Sequence, residues 1–367
     1  MLQPALGYRG MVFSGLPLVV LVVIFAAAAG AVWVAGVRLA ELTDILSTRL
    51  GLGQALGGAV LLAIVTNLPE VAITTTAALS NHLDVAIGNL LGGVAIQTVV
   101  LVVLDVFGSR GARPLTYQAA SVGLILEGAL VVAVLIVAVG GSRLPKGAAP
   151  FGLEPAALLI VILWVAGLYL VNRASTSLPW HEGGQPPDGQ DPPKGHASKQ
   201  RASSRQHQST ARLAVLFALG AAVTMAGGYV LEESGARAAA HVGLSGVLFG
   251  ATALAAATAL PDVSTGMASL RLGDAQLAFS DILGANAFLP VLILLASVLS
   301  GEAVLSQAHA TDIYLTALGA LLTVVYITGL IFRPPNRIAR MGPDSLAVLT
   351  LYTLGTVGLV FVAQTHG

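Results

Sequence analysis

The 367-residue chain contains no cysteine. Disulfides and thiolate metal ligands are therefore excluded, while compartment is left undecided. Charge is also scarce. Asp, Glu, Lys and Arg together make up 10% of the residues, where a soluble domain carries about 25%. The 18 basic residues balance 18 acidic ones, so no basic excess points to nucleic acid. Lysine is rare beside arginine, 3 against 15, and Ala, Gly and Val abound, as in a GC-rich bacterial gene. No nucleophile–base pair, His/Cys metal cluster or phosphate-cradling loop is legible, which speaks against an enzyme.

What is present is apolar sequence, at 56% hydrophobic residues and a mean hydropathy of +0.84. A spanning helix needs about 20 mostly apolar residues. Ten stretches qualify, near 13–38, 53–78, 85–106, 117–140, 153–172, 211–232, 245–270, 275–300, 312–332 and 345–364. The first has Arg9 before it and Ala-rich sequence at its end, like a signal peptide. It is too long for one and pairs with the sixth stretch. Sorting Lys and Arg by alternate gaps puts 14 on one side and 4 on the other. The richer side is expected to be cytoplasmic, with both termini outside.

The long hydrophilic stretch 173–210 is rich in Pro, Gly, Ser and Gln and reads as a disordered cytoplasmic linker. Its histidines His181, His196 and His207 match no compact metal site. Five spans on each side of the linker is an odd number, so the second set enters the membrane in the opposite sense. The expected fold is all-α and integral to a bacterial inner membrane, with ten transmembrane helices as two inverted five-helix repeats. Residues 1–172 form the first repeat and 211–367 the second.

The repeat is visible in the residues. Shifted by 192, residues 56–70 meet 248–262 with eight identities in fifteen, including Thr66 with Thr258 and Pro69 with Pro261. Glu70 meets Asp262. The match extends to Glu41 with Glu233, Gly51 with Gly243, and Leu91-Gly92 with Leu283-Gly284. Asn89 meets Asp281, keeping polarity while changing charge.

Carboxylates inside apolar runs are costly and mark function by default. Matching interruptions in two halves place a transporter's site between the repeats. Proline lacks an N–H and clashes with the carbonyl four residues back, so Pro69 and Pro261 should free carbonyls near Val65 and Ala257. Thr66, Glu70 and Thr74 share a helix face, as do Thr258, Asp262 and Thr265. Hydroxyls, carboxylates and open carbonyls are hard oxygen ligands suited to Na⁺ or Ca²⁺. The following helices carry small residues, Gly88-Asn89-Leu90-Leu91-Gly92-Gly93 and Ser280-Asp281-Ile282-Leu283-Gly284-Ala285-Asn286, which allow close packing. Asn67 and Asn286 read either as ligands or as helix ties. Glu127, in the fourth span, reads either as a proton-sensitive group or as a structural acid with no acidic counterpart at Gly319.

With these motifs the chain resembles the Ca²⁺/cation antiporter superfamily, which includes the sodium/calcium exchangers. The motifs concerned lie over 66–97 and 258–289. That family has two inverted five-helix repeats, each with a G-T-S-x-P-E-like motif followed by a G-N-x-x-G-S-N-like one. The resemblance implies central ion ligands at Thr66, Glu70, Thr258 and Asp262. Asn67, Asn89, Asp281 and Asn286 complete the candidate set. The chain departs from the pattern at Asn67 and Ala259, at Gly93 and Ala285, and at Gln97 and Leu289, so several side-chain oxygens are missing.

Ca²⁺ takes roughly six to eight oxygens; two carboxylates, Asn67, two threonines, carbonyls and water could supply them. The expected function is a secondary active antiporter exchanging Ca²⁺ for Na⁺ or H⁺ by alternating access. The second, third, seventh and eighth spans would form its site, with the first and sixth moving against them. A monovalent Na⁺/K⁺–proton antiporter is the first alternative. A non-transporting scaffold or sensor with a degenerate ion site is the second. The expected partners are inorganic cations and the lipid bilayer, with no cofactor beyond the transported ions.

Overall fold

The computed structural model describes residues 13, 15–49, 66–80, 82–108, 113–145, 154–176, 209–244, 249–271 and 273–366. These residues are helical almost throughout, apart from one β-bridge between Ile338 and Met341. The first half contains α1 (Leu18–Arg49), α2 (Leu68–Leu79), α3 (Leu83–Val103, continued by a π-turn over Leu104–Gly108), α4 (Leu115–Ala119), α5 (Val122–Gly141) and α6 (Pro155–Thr176). The second contains α7 (Thr210–His241), a π-turn over Gly250–Leu254, α8 (Ala255–Thr258), α9 (Leu260–Arg271), α10 (Ala275–Phe288), α11 (Leu292–Ser300), α12 (Ala310–Phe332) and α13 (Pro343–His366).

Among the described residues, seven helical stretches are long and apolar enough to cross a membrane: Leu18–Leu39, Leu83–Gly108, Val122–Gly141, Pro155–Ala174, Thr210–His241, Ala275–Ser300 and Ala310–Phe332. This is a multi-pass membrane protein. The Leu83–Gly108 and Ala275–Ser300 stretches are 72% and 67% buried, against 28%, 17% and 22% for those of α1, α6 and α7. The former pair is therefore the centre of the bundle and the latter three face its surroundings.

Several expected boundaries move. The first and sixth helices run on to Arg49 and His241, at 32 residues each. That is about 48 Å, longer than the roughly 30 Å hydrocarbon core. The fourth span is not continuous: α4 ends at Ala119, the ψ of 121° at Ala120 leaves the helical region, and Ser121 caps the start of α5 by accepting a hydrogen bond from Leu124 N. The eighth span holds a 3₁₀ turn over Leu289–Val291 because Pro290 removes a donor. Residues 50–65, at the start of the second span, and linker residues 177–208, with their three histidines, lie outside the described residues.

The repeat persists in the helix ends. Leu18 and Thr210, Leu68 and Leu260, and Leu83 and Ala275 begin corresponding helices, each pair related by the same shift as the motifs. The later helices keep a shift shorter by four: Val122 pairs with Ala310, and Pro155 with Pro343. Counted from its helix start, Glu127 therefore corresponds to Leu315 rather than to Gly319; neither is acidic.

The halves interlock. α1 lies along α7, α2 packs on α11, and α9 packs on the π-turn after α3. Asp105 in that turn accepts from Leu115 N at 2.8 Å and Gly342 N at 2.7 Å. Nearby, Arg113 and Arg333 lie over the Tyr117 ring. Arginines from two gaps assigned to the Arg-rich side thus meet at one end of the bundle.

Candidate cation site between the repeats

Both motifs sit where a helix is interrupted. Asn67 is a turn residue, and α2 starts at Leu68 with Pro69 in its first turn. In the second half α8 ends at Thr258, Ala259 is the turn residue, and α9 begins Leu260-Pro261-Asp262. Chain direction is nearly kept: Val71 N donates to Asn67 O at 3.0 Å and Val263 N to Ala259 O at 3.2 Å. Each acid is the third residue of its helix, where the positive end of the helix dipole favours a negative group. The carbonyl expected to open near Val65 lies outside the described residues.

The structure brings Glu70, Thr258, Asp262 and Asp281 together in the core. Thr66, Asn67, Glu70, Asn89, Thr258, Asp262, Asp281 and Asn286 are all buried. The Thr258 hydroxyl lies at the Glu70 carboxyl, and Glu70 and Asp281 are both within electrostatic reach of Asp262. Gln97 Nε2 crosses between the halves and donates to Asp262 Oδ2 at 3.2 Å. Thr265 Oγ1 donates to Asp281 Oδ2 at 2.8 Å. Asn286 Nδ2 donates to Thr98 Oγ1 at 3.1 Å, and that hydroxyl donates onward to Val94 O. Asn286 is thus an interhelix tie with its Oδ1 left over.

Unused oxygens define the chemistry. Glu70 Oε2, Thr74 Oγ1, Asn89 Oδ1, Gln97 Oε1, Asp281 Oδ1 and Asn286 Oδ1 are buried and have no hydrogen-bond partner. Buried acceptors of this kind normally find a donor or an ion. Two other buried acids are fully paired, although Glu232, Asp312 and Asp344 elsewhere also keep unpartnered oxygens. Asp105 takes two backbone N–H groups, and Glu154 takes those of Leu305 and Ser306 at 2.8 and 2.9 Å. Those two are structural anchors. Glu127 is intermediate: Ser280 Oγ donates to its Oε1 at 3.0 Å, while Oε2 has no partner.

Two long helices cross the motif prolines, each with a glycine at the crossing. A Cβ on Gly36 of α1 would stand 3.0 Å from Pro261 Cβ. One on Gly228 of α7 would stand 2.8 Å from Ala72 Cβ and 3.1 Å from Pro69 O. The two glycines are themselves matched by the repeat shift.

The sodium/calcium exchanger protein family model matches the chain twice, over residues 20–171 and 212–361. The chain belongs to that family. Inner membrane protein YrbG of Escherichia coli (strain K12) is 26% identical over 260 residues, which is 70% of this chain and 73% of YrbG. CaxA of Alkalimonas amylolytica is 24% identical over 270 residues, 72% of this chain and 76% of CaxA. The crystal structure of the H⁺/Ca²⁺ exchanger CAX shares the fold, with a TM-score of 0.60 over 94% of this chain and 90% of that one, at 14% identity. The family is one of cation-exchanging membrane transporters, and the chain is a member of the Ca²⁺/cation antiporter superfamily.

Gln97 and Thr98 are the contributors that the motif reading left out of the ligand set. Both were visible as adjacent polar residues in the apolar run 94–103, but their partners lie on the other repeat. At two of the family's missing-oxygen positions the chain makes apolar contact: the Cβ position of Gly93 is 3.5 Å from Leu289 Cδ1.

Proposed function

We propose that the protein is a secondary active antiporter exchanging Ca²⁺ for Na⁺ or H⁺ through one carboxylate site at the repeat interface. Glu70 and Asp262 are the primary ligands and Thr66 and Thr258 the secondary ones. Asn67, Asn89 and Asp281 complete the oxygen set, and Asn286 holds the helices together. The observation that carries the reading is the convergence of two buried, symmetry-related acids from opposite halves beside unpartnered oxygens. Two carboxylates match the charge of a divalent ion. Protons and cations compete for the same oxygens, which is the minimum requirement for exchange.

Alternating access follows from the crossings. With α7 over Pro69 and α1 over Pro261, the α1–α7 pair can move across both helix breaks and expose the site to one side at a time. The Arg-rich end is cytoplasmic in this reading, and both termini are outside.

The test is transport by the purified chain in liposomes. An imposed Na⁺ or pH gradient should drive Ca²⁺ uptake, and Glu70→Gln should abolish it. Absence of gradient-driven Ca²⁺ flux, or full flux in Glu70→Gln, overturns the proposal. The side-chain oxygens absent at Gly93, Ala285 and Leu289 favour a second reading, monovalent cation–proton exchange. Na⁺ or K⁺ flux without Ca²⁺ flux in the same vesicles would establish it.

A further inference from the structure

Corresponding positions in the two repeats behave differently: Asp274 lies in the gap that carries Arg271, on the Arg-rich side, and its match lies at the opposite end. Asp274 begins α10 in the ordinary way, its carboxylate accepting from Leu277 N at 2.9 Å. The matching residue in the first half is His82, which begins α3 and makes no side-chain cap. Its ring turns instead to α7, placing Nδ1 2.9 Å from Glu232 Oε1. The residue matching Glu232 in α1 is Ala40, so this contact is not inherited from the repeat.

Glu233 adds a third group. His82, Glu232 and Glu233 each present a ligand atom within 4.8 Å of the others. The Glu232 side chain is 0% exposed, yet its Oε2 is buried without a hydrogen-bond partner. The His82 side chain is 44% exposed, which leaves one side open to water. Arg237 donates from Nε and Nη2 to a single oxygen of Glu233, Oε2. It thereby neutralises one carboxylate. Asp84 adds a negative charge within reach of His82.

We propose that His82, Glu232 and Glu233 form a separate binding site for a borderline divalent transition metal of the Zn²⁺ class. One imidazole and two carboxylates suit such an ion better than they suit Ca²⁺, which takes oxygens alone. A tetrahedral ion with ligands at about 2.0–2.1 Å needs ligand atoms roughly 3.3 Å apart; the three ligand atoms here lie within 4.8 Å of one another, with His82 and Glu232 at 2.9 Å. Water fills the fourth position. The bound metal tethers α7 to the α2–α3 connection. The effect of that tether on transport rests on the exchange reading above; the binding itself does not.

The test is calorimetric titration of the full-length, chelator-washed protein in detergent with Zn²⁺, alongside its Zn²⁺-dependent thermal shift. One Zn²⁺ per chain is expected. Affinity should fall at least about 10-fold in His82→Asn and in Glu232→Gln, and stay unchanged in Glu70→Gln. It should also stay unchanged when the linker residues His181, His196 and His207 are replaced by Ala. Because His82 is half-exposed in a connection, His82→Asn should fold even where Glu232→Gln does not, and Co²⁺ absorption gives a second readout on it. In liposomes Zn²⁺ should slow Ca²⁺ flux in the parent and not in His82→Asn. No Zn²⁺ binding, full binding in His82→Asn, loss of binding in the linker variant, or equal displacement by Ca²⁺ overturns the site. Absent flux with intact Zn²⁺ binding would overturn only the exchange reading.

Discussion

Glu70 and Asp262 stand at equivalent places in the two halves, yet their surroundings differ at matched positions. Gln97 donates its amide to Asp262, while the residue matching Gln97 is Leu289, which can give Glu70 nothing. Thr265 donates to Asp281, while the first half has Ile73 and Asn89 at those positions, and neither amide atom of Asn89 has a partner. Thr98 receives the Asn286 amide, while its own match, Pro290, breaks the helix. A duplicated backbone therefore carries two unlike sets of side chains. In the exchange reading Asp262 is the oriented ligand, and Glu70 keeps an oxygen free for the ion.

The sharpest way to break this comparison is to remove the free acid. Glu70→Gln should lower Ca²⁺ flux by more than about 100-fold and abolish Ca²⁺-dependent thermal stabilisation. Both are readable in liposomes and by melting in detergent.

Next come the crossings. Gly228→Ala pushes a methyl against Ala72 and the Pro69 carbonyl, whereas Gly36→Ala meets only the Pro261 ring. The first should destabilise by about 1–3 kcal/mol and slow transport more than the second, with ion binding kept in both. Equal effects would show that the two crossings are alike.

A smaller effect is expected from the amide. Gln97→Leu should weaken Ca²⁺ affinity about 10-fold, and adding Leu289→Gln should recover part of that loss by moving the amide to Glu70. Calorimetry on the single and double variants measures this directly.

The smallest effect concerns Asp274, outside the membrane-spanning segments. Burial pushes its carboxyl above the ordinary Asp value, although the Leu277 N–H it accepts acts against this. A group raised in the folded state contributes its stability below the unfolded value and loses it as pH rises through the folded one. Ionised Asp274 is therefore a cost at neutral pH. Asp274→Asn keeps the cap and should melt slightly higher at pH 7, by less than about 1 kcal/mol. The advantage should vanish below about pH 4. Melting curves between about pH 3 and 8 check the sign; His82→Asn, at the matching place, has no cap to keep and should not show this profile.

Much of this arrangement was legible in the residues alone. Identities between the shifted halves exposed the repeat. Thr66, Pro69 and Glu70 with Thr258, Pro261 and Asp262 exposed the paired acids, because a carboxylate in an apolar run has few bland explanations. Partners across the halves were not legible. The Gln97–Asp262 and Asn286–Thr98 bonds join residues 165 and 188 positions apart, and periodicity carries no information about such pairs. The break at Ala120 and Ser121 was hidden for another reason: a single serine barely interrupts so apolar a run, and the signal is its cap. The counterpart of Glu127 is Leu315 because the shift between the halves changes from 192 to 188 before the fourth span, a change that no residue in the motifs signals.

That change of shift has a consequence for descent. The helices up to α3 and up to α10 start at one common shift, and those after them at a shift shorter by four. A single net difference of that size, falling between the third and fourth spanning helices of a doubled ancestor, accounts for both values. A change of length was tolerated at that junction, while the stretch ahead of it kept its register even where the side chains differ, as at Gln97 and Leu289.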